Sequence, residues 1–272
     1  MPSIDVSVII PCYRCADTIH RAVNSVLQQT RLPKELFLVD DCSNDNGDTL
    51  GVLRTIENNN PQLPITVISL LKNGGPGLAR NAAWEHAAGE FIAFLDADDA
   101  WHPQKLEIQH KWLVEHPQVV ICGHLSEFSQ KPEPIFVHLD YCDIKSENIS
   151  FSEMQFSNRL PTRSVMLRRS ITLRFGSGRN AEDYLLWMQI IAAGFRATLL
   201  KAPLAYSFRP EFSPGGLSGE LWTHEKGELK ALHQLRRDQL IGLISFVVVS
   251  GWSILKFIKR LLFRVLKSNR FI

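Results

Sequence analysis

The sequence predicts an α/β fold: a mostly parallel central sheet with flanking helices and a helical C-terminal tail. Three observations carry that prediction. Apolar runs alternate with helical spacings through the first hundred residues. The runs are short and continuous, as in strands covered on both faces. Polar clusters follow three of them, at the edge where such sheets bind ligands.

The elements follow in order. Ser7-Val8-Ile9-Ile10 is the first strand. Ile19, Ala22, Val23, Val26 and Leu27 recur at helical spacing after a cap at Asp17 or Thr18. Glu35 to Val39 is the second strand, ending in Asp40-Asp41, and Leu50, Leu53 and Ile56 mark a helix. Ile65 to Ile68 is the third strand, and the alanine-rich stretch Gly77 to Ala88 is helical. Glu90 to Leu95 is the fourth strand, ending in Asp96-Ala97-Asp98-Asp99. Residues 126–160 are polar and irregular, with a turn at Lys131-Pro132-Glu133-Pro134. Beyond them, Ser164 to Leu167 reads as a strand, Glu182 to Ala193 as a helix and Leu199 to Phe208 as an extended stretch. A loop at Ser213-Pro214-Gly215-Gly216 follows Arg209-Pro210.

Composition narrows the function. With 45% hydrophobic residues, 16 Gly and 14 Pro, the chain is neither disordered nor collagen-like. A net charge of +2 gives no reason to expect a nucleic-acid partner. The N-terminus lacks a basic stretch and its apolar run stops at Pro11, so no signal peptide is expected. Five cysteines then read as free thiols in a reducing cytosol, and no second Cys pair supports a zinc site beside Cys12 and Cys15.

The polar clusters suggest a chemistry. Asp96-Ala97-Asp98 closes a rigid strand, and paired carboxylates suit a hard divalent cation that keeps positions for water and phosphates. A haloacid-dehalogenase-type phosphatase would want Thr or Val where Ala100 stands. Asp40 and Asp41 accept hydrogen bonds only, so they suit either the N–H of a pyrimidine or a helix cap with Ser43. Asn73-Gly74-Gly75-Pro76-Gly77-Leu78-Ala79-Arg80-Asn81 is not a P-loop, but its glycines allow close backbone approach and Arg80 supplies a charge suited to phosphates.

Taken in order, Ser7 to Tyr13, Ser25 to Thr30, Leu38 to Ser43, Gly77 to Asn81 and Phe94 to Asp99 resemble the family 2 glycosyltransferases of GT-A fold. The resemblance is strong over about residues 4–105 and thinner to about 218. It implies a nucleotide-sugar donor, usually UDP-linked, a Mn²⁺ or Mg²⁺ ion, and inversion at the anomeric carbon. By the same resemblance, Pro11 and Tyr13 would line the nucleotide pocket, Asp41 would accept from uracil with Asp40 beside it, and Arg80 would face base or diphosphate. Asp96 and Asp98 would meet ribose and metal, with Asp99 a further candidate ligand. Glu182-Asp183 resembles the family's Glu-Asp motif, which makes Asp183 the general base and Glu182 the second choice. Arg209 and the segment to Ser218 resemble the loop after the last core strand, where Arg209 would touch the diphosphate.

Two departures matter. Arg14 stands where the family often has Asn. Gln234-Leu235-Arg236-Arg237 lacks the Trp of the processive synthases, so single-sugar transfer is expected. The implied organisation is a catalytic domain over 1–218, with a nucleotide-binding half to 105, an acceptor half from 106, and a helical segment over 219–272. The implied role is transfer to a glycan or lipid-linked acceptor in cell-envelope polysaccharide or lipopolysaccharide synthesis. An inactive nucleotide-sugar-binding or scaffold protein is the alternative. A sugar nucleotidyltransferase would want a glycine-rich loop where Pro11 to Arg14 stands.

The tail divides the charge. Residues 256–272 hold six basic residues and no acidic one, leaving 24 basic against 28 acidic in the rest. Residues 239–255 are uncharged and borderline for a spanning helix. Lys256, Lys259, Arg260, Arg264 and Lys267 are expected on one helical face, with Phe257, Ile258, Leu261, Leu262, Val265 and Leu266 on the other. That pattern fits a helix over about 239–270 lying on anionic lipid at the inner face of the cytoplasmic membrane. Docking on the catalytic domain or on a second subunit is the competing expectation.

Overall fold

The structure, a computed structural model, describes residues 3–131, 134, 136–209 and 221–268. The first half runs β1 (Ile4–Cys12), α1 (Ile19–Leu27), β2 (Pro33–Asp40), α2 (Asp48–Asn59), β3 (Ile65–Ser69), α3 (Pro76–Trp84) and β4 (Phe91–Phe94). It continues through β5 (Asp99–Trp101), α4 (Lys105–Glu115), β6 (Val119–Phe128), β7 (Ser146–Ile149), α5 (Phe151–Phe156) and β8 (Met166–Arg168). The last elements are α6 (Glu182–Ala192), β9 (Arg196–Ser207), α7 (Leu221–Arg237) and α8 (Leu243–Ser268).

The strands form one sheet in the order β3-β2-β1-β4-β8-β6-β9-β5, with β7 also pairing β9. The half from β3 to β4 is parallel, as expected from its alternating elements. Beyond β4 the sheet is mixed: β8 runs antiparallel to both β4 and β6, while β6 and β9 are parallel. β7 and β5 share an edge of β9, pairing with Ala197–Leu200 and Ala205–Ser207.

Helices cover both faces, which explains the unbroken apolar runs. Val6, Val8 and Ile10 of β1 join a core with Val23 of α1, Leu53 of α2 and Leu106 of α4. Ile9 points the other way, into a core with Ala83 and Trp84 of α3, Trp187 of α6 and Leu232 of α7. The alternation along β1 therefore divides the protein into three layers.

Elements between residues 99 and 160 carry little apolar pattern, for a visible reason. The buried face of α4 includes Lys105 and Gln109 beside Leu106, Ile108 and Leu113. Lys105 Nζ sits 3.6 Å from the Trp101 ring centroid, and burial lowers its pKa well below the ordinary lysine range. Gln109 Nε2 donates to the carbonyls of Cys122 and Ser164, at 2.9 Å each. Polar side chains on the inward face blur a helical period. In the polar stretch that follows, α5 starts at a capping box in which Ser150 and Glu153 satisfy each other's backbone N–H groups. The expected turn at 131–134 includes Pro132 and Glu133, which lie outside the described residues.

The paired cysteines and the C-terminal helices complete the picture. Cys12 and Cys15 are free and buried, and burial raises the Cys12 thiol well above its ordinary range, the opposite of a reactive thiolate. The expected boundary at 218–219 falls outside the described residues. α7 beyond it places Ala231, Leu232 and Leu235 in the core beside α6, so this helix completes the catalytic layer.

Two glycines test the packing. Gly51 lies in α2, and a Cβ added there would meet nothing within 4 Å. Gly51→Ala should therefore raise stability by about 0.5–1 kcal/mol in a urea titration. At Gly89 the added atom would stand 2.6 Å from the Ser7 nitrogen of β1. Gly89→Ala should lower stability by about 1–3 kcal/mol in the same titration.

Candidate active site

Parallel pairing brings three loops to one edge. Cys12 of β1 lies opposite Asp40 of β2, and Ile9 lies opposite Phe94 of β4. The residues after these strand ends therefore emerge side by side. Tyr13, 42% exposed, follows the half-buried Pro11 there. The Tyr13 hydroxyl and Arg14 Nε both donate to Asn44 Oδ1, at 3.2 and 2.7 Å, and the Arg14 amide donates to Ser43 Oγ. Arg14, at φ 47°, thus ties the first loop to the second.

The two aspartates after β2 divide their work. Asp40 Oδ1 accepts from the Ser43 amide at 3.1 Å, a bond that closes the turn after β2 and caps no helix, since α2 starts only at Asp48. Asp41 is buried, and its two oxygens accept from the amides of Gly74 and Gly75 at 2.8 Å each. It holds the glycine-rich loop at the sheet edge and keeps further lone pairs.

Arg80, which the resemblance sets toward base or diphosphate, is held by two carboxylates. It is buried within α3. One guanidinium nitrogen donates to Asp96 Oδ1 at 2.7 Å and another to Glu182 Oε1 at 3.1 Å. Burial alone would lower its pKa, but the charges of Asp96, Glu182 and Asp183 reverse this and hold it above the usual range. Both acidic motifs, distant in sequence, converge on this one cation. Glycine makes the approach possible: a Cβ on Gly77 would stand 2.9 Å from Glu182 Cγ and 3.0 Å from Phe175 Cβ.

The Asp96-Ala97-Asp98-Asp99 cluster splits in two. The Asp96 and Asp98 side chains are 30% and 39% exposed, whereas Asp99 is 5% exposed and pairs with Arg163 at 3.3 Å. Burial raises the Asp99 carboxyl to about 8, with the charges of Asp96 and Asp98 adding to it and Arg163 opposing. Its backbone opens β5 against Ser207, which turns it inward and sets it apart from the other candidate ligands. Burial and the neighbouring Asp96 charge also raise Asp98. Arg209 Nε approaches Asp98 Oδ2 at 3.6 Å, and the segment from Pro210 to Ser218 lies outside the described residues. Arg21 of α1 donates to the Asp98 carbonyl at 2.6 Å, a contact that no sequence motif signals.

Among the described residues, no group of three or more His, Cys, Asp and Glu side chains is arranged to hold a metal ion. The partly exposed pair Asp96 and Asp98 nevertheless fits a hard divalent cation, which takes one or two carboxylates and completes its shell with water and phosphate oxygens. Such a cation would offset both the burial and the neighbouring Asp96 charge that raise Asp98.

Glu182 and Asp183 face different ways. Glu182 is buried on Arg80, and burial, helped by the Asp183 charge and opposed by Arg80, raises it to about 7. Asp183 is only half-buried, and its Oδ2 accepts from Thr162 Oγ1 at 2.9 Å and Asn158 Nδ2 at 3.3 Å. Asn158, Thr162 and Arg163 are invisible to sequence reasoning because their stretch has no period or motif.

The Arg80 bridge should dominate stability. Arg80→Met leaves Asp96 and Glu182 without their buried cation and should cost about 3–5 kcal/mol in urea denaturation. Arg80→Lys should recover only part of this, because one ammonium does not reproduce the two-armed contact.

Comparison with known proteins agrees with this geometry. The model of the glycosyl transferase family 2 matches residues 7–181. TuaG of Bacillus subtilis (strain 168), a glycosyltransferase assigned to teichuronic acid biosynthesis, is 32% identical over 196 residues, 71% of this chain and 74% of TuaG. WfaP of Escherichia coli, a UDP-Glc:alpha-D-GlcNAc-diphosphoundecaprenol beta-1,3-glucosyltransferase, is 31% identical over 71% of this chain and 72% of its own. S. aureus TarS 1–349 in complex with UDP-GlcNAc superposes with a TM-score of 0.69 at 21% identity, covering 93% of this chain and 72% of that one. Against a longer TarS chain the coverage is 40% of that protein. The mannosyltransferase PcManGT from Pyrobaculum calidifontis, in complex with GDP-Man and Mn²⁺, gives 0.67 at 20% identity over 92% of this chain and 69% of that one. With the sheet, the acidic clusters and the matched span in agreement, the chain belongs to the family 2 glycosyltransferases and has their GT-A fold.

Proposed function

We propose that this glycosyltransferase moves a single sugar from a UDP-sugar, with inversion, to a hydroxyl of a glycan or lipid-linked acceptor in cell-envelope polysaccharide or lipopolysaccharide synthesis. The observation that carries this reading is the Arg80 bridge to Asp96 and Glu182, which brings the acidic loop after β4 beside the start of α6, where Asp183 stands. It sets a carboxylate pair for the donor beside a carboxylate for the acceptor. The names of TarS and WfaP, which cite UDP-GlcNAc and UDP-Glc, support the donor class. WfaP's diphosphoundecaprenol acceptor supports the acceptor class. A lipid-linked acceptor and a cytoplasmic donor meet at the inner face of the cytoplasmic membrane.

Each residue then has a task. The Tyr13 ring lies against the base, with Pro11 beside it. Asp41, already fixing the glycine loop, accepts from the uracil N–H through a remaining lone pair, while Asp40 holds the turn through Ser43. Asp96 and Asp98 would hold Mn²⁺ or Mg²⁺, which supplies positive charge for a departing diphosphate. Arg209, beside Asp98, adds a second charge there. Asp183 takes the proton of the acceptor hydroxyl as its oxygen bonds to the anomeric carbon. The bond from that carbon to the diphosphate oxygen breaks, and the nucleoside diphosphate leaves with its electron pair. Geometry favours Asp183 over Glu182, because Glu182 is buried and committed to Arg80.

Asp183→Asn should keep UDP binding by calorimetry and lower kcat by about 10²–10⁴-fold. Asp98→Ala should remove both transfer and the Mn²⁺-dependent part of UDP binding; unchanged turnover would overturn the metal assignment. In a thermal-shift series of UDP-, GDP- and dTDP-sugars with Mn²⁺, the UDP-sugars should raise Tm most. A larger rise with GDP-sugars reassigns the donor.

A further inference from the structure

α8 docks through a narrow stripe. Val249, Ser253 and Phe257, spaced at i, i+4 and i+8, are buried. Ser253 Oγ donates to Glu225 at 2.9 Å, Lys256 Nζ pairs with Glu228 at 2.9 Å, and the Phe257 ring lies 4.9 Å from that of Trp222. Lys256 and Phe257, expected on opposite faces in water and lipid, are both used to hold the helix on α7.

The opposite face is apolar and uncovered. Ile244, Val248, Leu255 and Leu262 form its centre line and are 53% or more exposed, Ile244 reaching 82%. Trp252 flanks them and faces Phe156 of α5 at 6.4 Å, across an open groove of about 540 Å³. Such a continuous apolar face marks an interaction surface. Among the described residues, no helix is long and apolar enough to cross a membrane.

Charge decides between a second copy and a lipid surface. Residues 221–272 hold ten of the chain's 30 basic residues and three of its 28 acidic ones. Two of those acids, Glu225 and Glu228, turn inward to Ser253 and Lys256. On α7, Lys226, Lys230 and Arg237 are exposed. Pairing two copies through this face would bring two basic segments together, whereas an anionic bilayer neutralises the charge and accepts the apolar side chains.

We propose that the outer face of α8, together with Phe156, is a docking face for an anionic lipid bilayer, with the helix lying along the interface. The contact bears on the acceptor, and there it rests on Asp183 as the base. Phe156 stands two residues before Asn158, whose side chain donates to Asp183. One short segment joins the lipid boundary to the base, which suits an acceptor hydroxyl held just outside a bilayer on a lipid carrier.

The full chain, without donor or acceptor, should co-sediment with vesicles of equal parts phosphatidylglycerol and phosphatidylcholine, roughly tenfold or more better than with phosphatidylcholine alone. Val248→Asp with Leu255→Asp should abolish that preference while leaving Tm and the UDP-induced Tm shift unchanged. Brominated phosphatidylglycerol should quench the tryptophan fluorescence, and Trp252→Phe should remove most of the quenching. Unchanged vesicle binding in the double variant, or undiminished quenching in Trp252→Phe, overturns the proposal. So does a dimer in light scattering that the double variant splits while wild-type protein ignores vesicles, a result that gives the face to a second copy. Because vesicle binding and the UDP shift are read separately, failure of the lipid contact is distinct from failure of the donor assignment.

Discussion

The architecture around the site depends on one buried cation. Arg80 is enclosed by protein, and a guanidinium so enclosed must be paired and hydrogen-bonded. Its partners come from opposite ends of the fold: Asp96 follows β4, and Glu182 opens α6. The bridge fastens the parallel half of the sheet to the mixed half. It also fixes the order of the acidic pair at 182 and 183. Consecutive residues in a helix point about 100° apart, so once Glu182 turns in to Arg80, Asp183 is directed outward to Thr162 and Asn158. The glycines at 75 and 77 follow from the same bridge, since side chains there would collide with the segment carrying Phe175, Arg179 and Glu182.

A second constraint separates the three aspartates after β4. The chain does not simply leave the sheet; it re-enters as β5 against the end of β9. That turn carries Asp99 into the interior, where Arg163 receives it, and leaves Asp96 and Asp98 toward solvent. The same end of β9 delivers Arg209 to Asp98. The mixed part of the sheet thus does more than extend the parallel half. Its last strand brings a basic side chain to the acidic edge.

The C-terminal helices join the catalytic body to a surface of different character. α7 contributes to the core beside α6, and α8 lies on α7 through Ser253, Lys256 and Phe257. The polar and basic residues that make α8 look amphipathic in isolation are partly consumed in this docking. What faces outward is largely apolar, with exposed Lys259 between Leu255 and Leu262, and it adjoins α5 and the segment holding Asp183. The position of Asp183 and the position of the uncovered helix are consequences of one packing arrangement.

The sequence by itself determined the elements with strong local signals. Continuous apolar strands, helical spacing and acidic strand ends marked the parallel half and the edge at which Asp40, Asp41, Asp96 and Asp98 gather, and the resemblance added Asp183. It also showed the charge asymmetry of the tail. Tertiary structure alone decided which carboxylates are accessible, because Asp99 and Glu182 are distinguished from their neighbours only by Arg163 and Arg80. It decided that Arg80 is a bridge, and that Asn158 and Thr162 hold the Asp183 carboxylate. α4 and β6 stayed illegible because their inward residues include Lys105, Gln109 and His124, polar side chains that the assembled fold buries, Gln109 by donating to the carbonyls of Cys122 and Ser164. Periodicity records what a segment can bury unaided; pairing between remote polar groups is a property of the assembled fold, and that is where the sequence stops and the structure begins.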